Sequence, residues 1–270
     1  MYGLAGRLHS KRPPEGHGVR VLSSQRAMHP ERAAQSRGAN RAQPRRGSQR
    51  IGSLVVELVG PAGVGKTTLA RNVQRANSLV HAELSMWQVP RPRLAQSALA
   101  LVPTIVGSAL RQRALRWREI RYMIRLGALE HALGPAKRRS RVILMDEGPV
   151  FAIGWLDVAF AERGIEAPPG WRRRVVHRWA QLLDSVVFLD AQDRVLATRI
   201  RTRAKRHRME TSGDVALRRF ARVFRHAFEK VIAELSETGH LTVQAMRTDG
   251  PLHRGTARLS AALERHRHGH

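Results

Sequence analysis

Residues 60–68, Gly60-Pro61-Ala62-Gly63-Val64-Gly65-Lys66-Thr67-Thr68, have the types and spacing that handle phosphate. They match G-x-x-x-x-G-K-[ST] and lie between an apolar run at 55–59 and a helix-like segment from Leu69 on, the strand-loop-helix setting in which this motif acts as a P-loop. Glycines let successive backbone N–H groups turn inward as an anion nest, and the helix that follows aims its positive end at the same point. All nine residues, Gly60 to Thr68, are therefore expected to line a nucleoside triphosphate. Lys66 should reach the β- and γ-phosphates as a catalytic cation, and the Thr67 hydroxyl should be an Mg²⁺ ligand, because that ion takes a few oxygens together with substrate phosphates.

The second anchor is Asp146, which ends the uninterrupted apolar run Val142-Ile143-Leu144-Met145. Such a run suits a strand buried on both sheet faces, and a carboxylate at its end suits the metal-holding acid of a nucleotide site. Glu147 follows directly and has two readings, a group that polarises water or a base toward an acceptor hydroxyl. Farther on, Asp193 opens a helix predicted to run to Arg208, with six basic residues in 199–208. On a helix, Arg199, Arg203 and Arg206 share one face and Arg201, Lys205 and Arg208 another, which makes the segment a candidate lid over transferring phosphate.

Elements must hold these groups together. Strands are expected near 54–59, 79–84, 141–146, 185–190 and 240–245, and the first is followed by a helix near 65–77. Glu83, at the end of the second strand, would lie near the phosphates and reads as a site carboxylate or an ordinary solvated one. A long helical stretch near 94–133 should be interrupted around Pro103 and Gly107, and its apolar part reads as a core helix and not a membrane span. Its later half carries Arg111, Arg118, Arg121 and Arg125, a face able to hold an acceptor's phosphate but more in keeping with a solvated one. Helices near 155–162 and 171–183 precede the fourth strand. Leu217, Phe220, Phe224, Phe228, Val231 and Leu235 keep a helical period as core, and a last helix is expected at 255–265.

Composition narrows the setting. With 270 residues, 42% of them hydrophobic, the chain can build one good core, here assigned to residues 51–265. Residues 1–50 have no apolar period and read as a disordered basic arm, and residues 266–270 as a disordered tail. The absence of cysteine removes disulfide frameworks, thiol nucleophiles and thiolate metal sites and fits a reducing compartment. No signal peptide or bilayer span is readable, so the expected location is cytoplasmic. A formal charge of +27 would suit a nucleic-acid partner through the arm, but only five of the 48 basic residues are lysine and the surplus is spread along the chain, so that partner is not favoured.

The order strand, P-loop, helix, strand, helical insertion, two strands ending in Asp, Arg-rich helix, strand, helix resembles the nucleoside and nucleotide kinase branch of P-loop proteins, most nearly the thymidylate kinase-like group. The resemblance rests on residues 60–68 and on Phe188-Leu189-Asp190-Ala191, Val195-Leu196, Arg199-Ile200-Arg201 and Arg203. It implies a three-layer α/β/α fold with a five-stranded parallel sheet and an Arg-rich lid helix. It also implies that Arg199, Arg201 and Arg203 meet ATP phosphates or adenine and that residues 79–133 hold the acceptor. The loop lacks the internal acid of thymidylate kinases, and Asp146-Glu147 stands where that group has Asp-Arg, so thymidine monophosphate is not implied. The expected activity is Mg-ATP-dependent transfer of the γ-phosphoryl group to a nucleotide or other small acceptor. The alternatives are an ATPase or GTPase switch in which Glu147 orients water and, behind it, a polynucleotide kinase or nucleic-acid binder.

Overall fold

The computed structural model describes residues 53–78, 80–81, 84–111, 114–202, 209 and 211–268. Strand β1 (Leu54–Val59) is buried along its whole length, the consequence of an apolar run with helices on both faces. It leads through the glycine loop into helix α1 (Lys66–Ala76). Strand β3 (Val142–Met145) pairs with β1 in parallel on one side, and β4 (Ser185–Asp190) on the other. Strand β5 (Thr242–Arg247) extends the sheet beyond β4. These four strands carry the sheet. The second expected strand is reduced to the two-residue β2 (Val80–His81) at the edge beside β3, giving the order β2-β3-β1-β4-β5.

Alternation along β1 sorts the layers. Leu54, Val56 and Leu58 point into a cluster with Leu69 and Val73 of α1 and with Leu259 and Leu263 of α8 (Leu252–His268). Val55 and Val59 point the other way, into the larger core. That core is shared with α3 (Trp117–Arg139), α4 (Pro149–Ala161), α5 (Pro169–Ala180) and α7 (Asp214–Thr238). The period read from Leu217 to Leu235 is the buried face of α7, with Phe220 half-buried against it. Because β1 lies between β3 and β4, the loop leaving it and the acid ending β3 come to the same carboxyl edge, where ligands of parallel sheets sit.

Several boundaries differ from expectation. Helix α2 (Arg91–Leu110) runs through Pro103 and Gly107 without a break. Pro103 cannot donate to Leu99, but both residues are exposed, on the side of the helix where solvent can serve the orphaned carbonyl. Meanwhile Ser97, Leu101 and Ser108 hold the opposite side on α3, with the Ser97 hydroxyl donating to Ile124 O at 2.7 Å. The break comes after Leu110, and α3 starts with a capping box in which the Arg116 N–H donates to Glu119 Oε2 at 2.8 Å. Nor is α2 a core helix, since most of its residues are not buried. Helix α4 starts six residues before its expected 155, at Pro149, and α8 continues to His268, into the expected tail. Helix α6 (Asp193–Thr202) is the described part of the Arg-rich segment. Its continuation at 203–208, the arm at 1–50 and Glu83 lie outside the described residues.

Candidate active site

The glycine loop is shaped by close approach. A side chain on Gly60 would put Cβ 2.1 Å from the Leu189 carbonyl oxygen of β4, and one on Gly63 would put it 2.9 Å from Leu196 O of α6. Only glycine lets the loop sit this close to the neighbouring backbone. Gly65, at φ +95°, turns the chain into α1, and no side chain caps that helix, which leaves its first N–H groups to an anion. Val64 is buried in the cluster beneath α1, and Ala62 packs with Ala197 and Ile200 of α6, so the loop is wedged between the two helices. Pro61 is buried, while Thr68 is exposed one position beyond Thr67.

A Gly60→Ala variant should lose about 3 kcal/mol of stability, because the clash is with strand backbone that cannot swing away. Chemical denaturation reads that loss, and a variant as stable as the parent would mean that the loop relaxes freely.

The loop already holds its cation. Lys66 Nζ donates to Gly60 O at 2.7 Å and to Pro61 O at 3.2 Å, which curls the ammonium over the nest. Thr67 Oγ1 donates to Asp146 Oδ2 at 2.8 Å, so the loop threonine and the acid ending β3 meet as their types suggested. A hydroxyl and a carboxylate converging beside a phosphate nest are the oxygen donors that Mg²⁺ prefers, and the pair fits that ion.

The other expected residues are distributed differently. Arg199 turns toward the segment after β5, donating through Nη2 to Thr248 O at 2.8 Å. Thr248 Oγ1 in turn lies 3.0 Å from Val64 O in the loop and 3.3 Å from Asp190 O at the end of β4. Arg199 therefore meets the phosphate loop through Thr248. Arg201 is exposed and engages Asp214 at 2.5 Å, a contact that holds the Asp214 carboxyl below its ordinary range. Arg203 lies outside the described residues. Asp190 is occupied by Arg225 at 2.9 Å and Arg247 at 3.3 Å, which makes it a structural acid.

Glu147 is half-buried, and its carbonyl accepts the Met86 N–H at 3.3 Å. Burial raises the Tyr122 phenol above its ordinary range against the pull of Arg118, and the charge of Glu147 adds a smaller push in the same direction as burial. Around Tyr122 stands a wall of rings and guanidinium groups. Tyr122 stacks on Trp155 with centroids 3.9 Å apart and meets the Trp87 ring edge-on at 5.4 Å. Arg118 lies 4.6 Å over Trp155, while Arg125 and Arg121 lie 4.7 and 5.5 Å over Trp87. Arg125 also donates to Met86 O at 3.0 Å. Three of the arginines read from sequence as a solvated face are thus held on rings, and no carboxylate among the described residues forms an ion pair with them.

One site group escaped the sequence reading altogether. Glu57, in the middle of β1, is fully buried and accepts N–H bonds from Gly148 (3.1 Å), Val150 (2.8 Å) and Phe151 (2.9 Å), the first donors of α4. Burial pushes its carboxyl up to about 7, against the opposing pull of those three donors and of Lys66. The available signal was a lone acid inside the apolar strand Leu54–Val59. Thr248 left no comparable mark.

Neither a family model nor a curated protein sequence matches the chain. Among solved structures, a deoxyadenosine kinase from M. mycoides with dCMP and a flexible dCDP bound superposes with a TM-score of 0.50 at 12% identity, covering 78% of this chain and 99% of that one. Structures of the deoxyadenosine kinase from M. mycoides with dCTP and with dATP give TM-scores of 0.49 and 0.47, at 12% and 9% identity, covering 78% of this chain and 99% and 100% of theirs. Identity this low speaks to fold alone. With a P-loop leaving the central strand of the parallel order β2-β3-β1-β4-β5 and this overlap over nearly the whole of the first kinase, the chain has the fold of the P-loop nucleoside kinases.

Proposed function

We propose that the chain is a Mg-ATP-dependent phosphotransferase that moves the γ-phosphoryl group to a small acceptor, with a nucleotide-like molecule as the leading candidate. The observation that carries this reading is the Thr67–Asp146 pair, 2.8 Å apart, beside Lys66 on the loop. Thr67 and Asp146 would hold Mg²⁺, which when bound neutralises charge on the phosphates. Lys66 would leave the Gly60 and Pro61 carbonyls for the β- and γ-phosphate oxygens. Arg199, fixed to Thr248 beside the loop, would act on the same phosphates from within the chain, and Arg201 and Arg203 would join it on closure. In the transfer an acceptor oxygen forms a bond to the γ-phosphorus, the bond from that phosphorus to the β,γ-bridging oxygen breaks, and ADP leaves with the bridging oxygen. Any proton on the acceptor oxygen passes to Glu147 or to solvent.

The acceptor belongs on the Glu147 side, against Trp87, Tyr122 and Trp155. Arginines resting on ring faces turn N–H edges toward planar anionic oxygens, so Arg121, together with the donors of Arg125 that Met86 O does not take, suits an anionic part of the acceptor. Replacing both by alanine should raise the acceptor KM about tenfold and leave ATP affinity in the absence of acceptor unchanged. Equal losses in both constants would place these arginines outside the acceptor site.

Labelled ATP incubated with pools of small metabolites tests the activity itself. The expected result is one new phosphorylated species and ADP release stimulated well above the acceptor-free rate. A stable ATP complex with no turnover across the panel overturns the proposal, and hydrolysis indifferent to every acceptor favours a switch ATPase.

A further inference from the structure

We propose that the outward face of α2 docks on an anionic lipid bilayer. Leu99, Val102, Val106 and Leu110 follow one another at spacings of three, four and four residues, which places them in one stripe along the helix. Their exposures are 75%, 47%, 50% and 80%, and Trp117, just beyond, is 69% exposed. No charged residue occurs between Leu94 and Leu110. The opposite side of the helix is occupied by α3, through buried Ser97, Leu101 and Ser108. An uncharged, aliphatic stripe with no described residue over it is unusual on a chain of formal charge +27.

The charges around the stripe select the occupant. Residues 91–118 contain six arginines, Arg91, Arg93, Arg111, Arg113, Arg116 and Arg118, and no acid. In sequence they lie on either side of the stripe, and Arg91, Arg111 and Arg116 are exposed, while Arg118 is held over Trp155. A second copy of the chain is a poor partner. Antiparallel pairing of α2 with itself sets the leading arginines of one copy against the trailing arginines of the other, and parallel pairing sets like ends together. A surface of lipid phosphates takes both features at once. The aliphatic stripe enters the acyl boundary, the flanking guanidiniums meet phosphate, and Trp117 sits at headgroup level, where tryptophan is enriched. The helix would lie in the plane of the membrane, because its other face stays fixed to α3.

The test uses the full chain and vesicles of phosphatidylcholine, with and without phosphatidylglycerol. Expected is co-sedimentation with the phosphatidylglycerol vesicles that persists at raised salt, together with a blue shift of tryptophan emission that is absent in Trp117→Phe. A Leu99→Ser/Leu110→Ser double variant keeps every charge and alters two side chains that are mostly exposed. It should lose about tenfold in vesicle partitioning at raised salt while folding normally and keeping its acceptor-free ADP release. Equal partitioning of variant and parent means that charge alone binds and overturns the proposal, as does failure of the parent to bind. A dimer by light scattering that the double variant converts to monomer assigns the stripe to a second copy and overturns it equally.

Discussion

Lys66→Ala should lower acceptor-dependent ADP release by about a thousandfold while leaving the fold intact. The side chain is half-buried, and its ammonium bonds to Gly60 O and Pro61 O at 2.7 and 3.2 Å. Truncation removes the donor from the carbonyls of two buried residues in a part-buried contact, so the cost in stability is about 1–3 kcal/mol. The cost in rate is larger because charge redistributes over the transferring and leaving oxygens as the bond breaks, when a fixed cation is worth most. Initial rates at saturating ATP and acceptor, set beside thermal unfolding of the same samples, check both halves. A variant retaining a tenth of the parent rate would sink the role given to Lys66, and loss of folding would make the lysine a structural prop. A third readout follows from the neighbourhood. Lys66 is among the groups holding the Glu57 carboxyl down, so the variant should push that carboxyl above about 7.

The readable parts of this chain are those in which local sequence is also local chemistry. Gly60 through Thr68 shape their own nest, and the apolar runs before Gly60, broken only by Glu57, and before Asp146 suit strands buried on both faces. Their adjacency follows once both are assigned to one parallel sheet, and the 2.8 Å Thr67–Asp146 contact is its product. What was illegible depends on partners distant in sequence. Pro103 seemed to end a helix because its lost hydrogen bond counts locally, whereas α2 is kept by contacts to α3 on the side away from it. Arg118, Arg121 and Arg125 looked solvated because the rings under them come from Trp87 and Trp155, on other elements. The resemblance implies that Arg199 meets ATP phosphates or adenine, and Thr248, which stands between it and the loop, lies 49 residues away in sequence.

Two braces therefore hold the phosphate loop from opposite sides. On the β4 and β5 side, Thr248 joins Val64 O to Asp190 O and receives Arg199, so motion of α6 reaches the loop through one hydroxyl and one carbonyl. On the β3 side, Glu57 ties the strand that feeds the loop to the start of α4, two residues beyond Asp146 at its nearest point. The first brace is made of hydrogen bonds among half-buried groups, whereas the second centres on a fully buried carboxyl.

Loss of that buried brace should be the largest single-residue effect on stability. Helix α4 begins at Pro149, which has no N–H, so the donors at its start are Gly148, Val150 and Phe151, and Glu57 accepts all three. Glu57→Ala leaves these donors orphaned under a small cavity, at a cost of at least about 3 kcal/mol by denaturation. The start of α4 also fixes the segment Asp146-Glu147-Gly148, so the turnover of the folded fraction should fall as well.

The acid itself gives a signature that a merely structural contact would not. Its folded pKa, about 7, lies above its ordinary 4.5, so the native state binds this proton more tightly than the unfolded chain does. The stability the group lends is therefore fully present below pH 4.5. It is lost as pH rises through 7, and is constant beyond, a change of about 3 kcal/mol. Glu57→Gln cannot titrate, so the difference in unfolding free energy between parent and variant should follow that curve while all other groups cancel. A difference that stays flat between pH 4.5 and 7 would show that the three helix donors and Lys66 outweigh burial and hold the carboxylate ionised throughout.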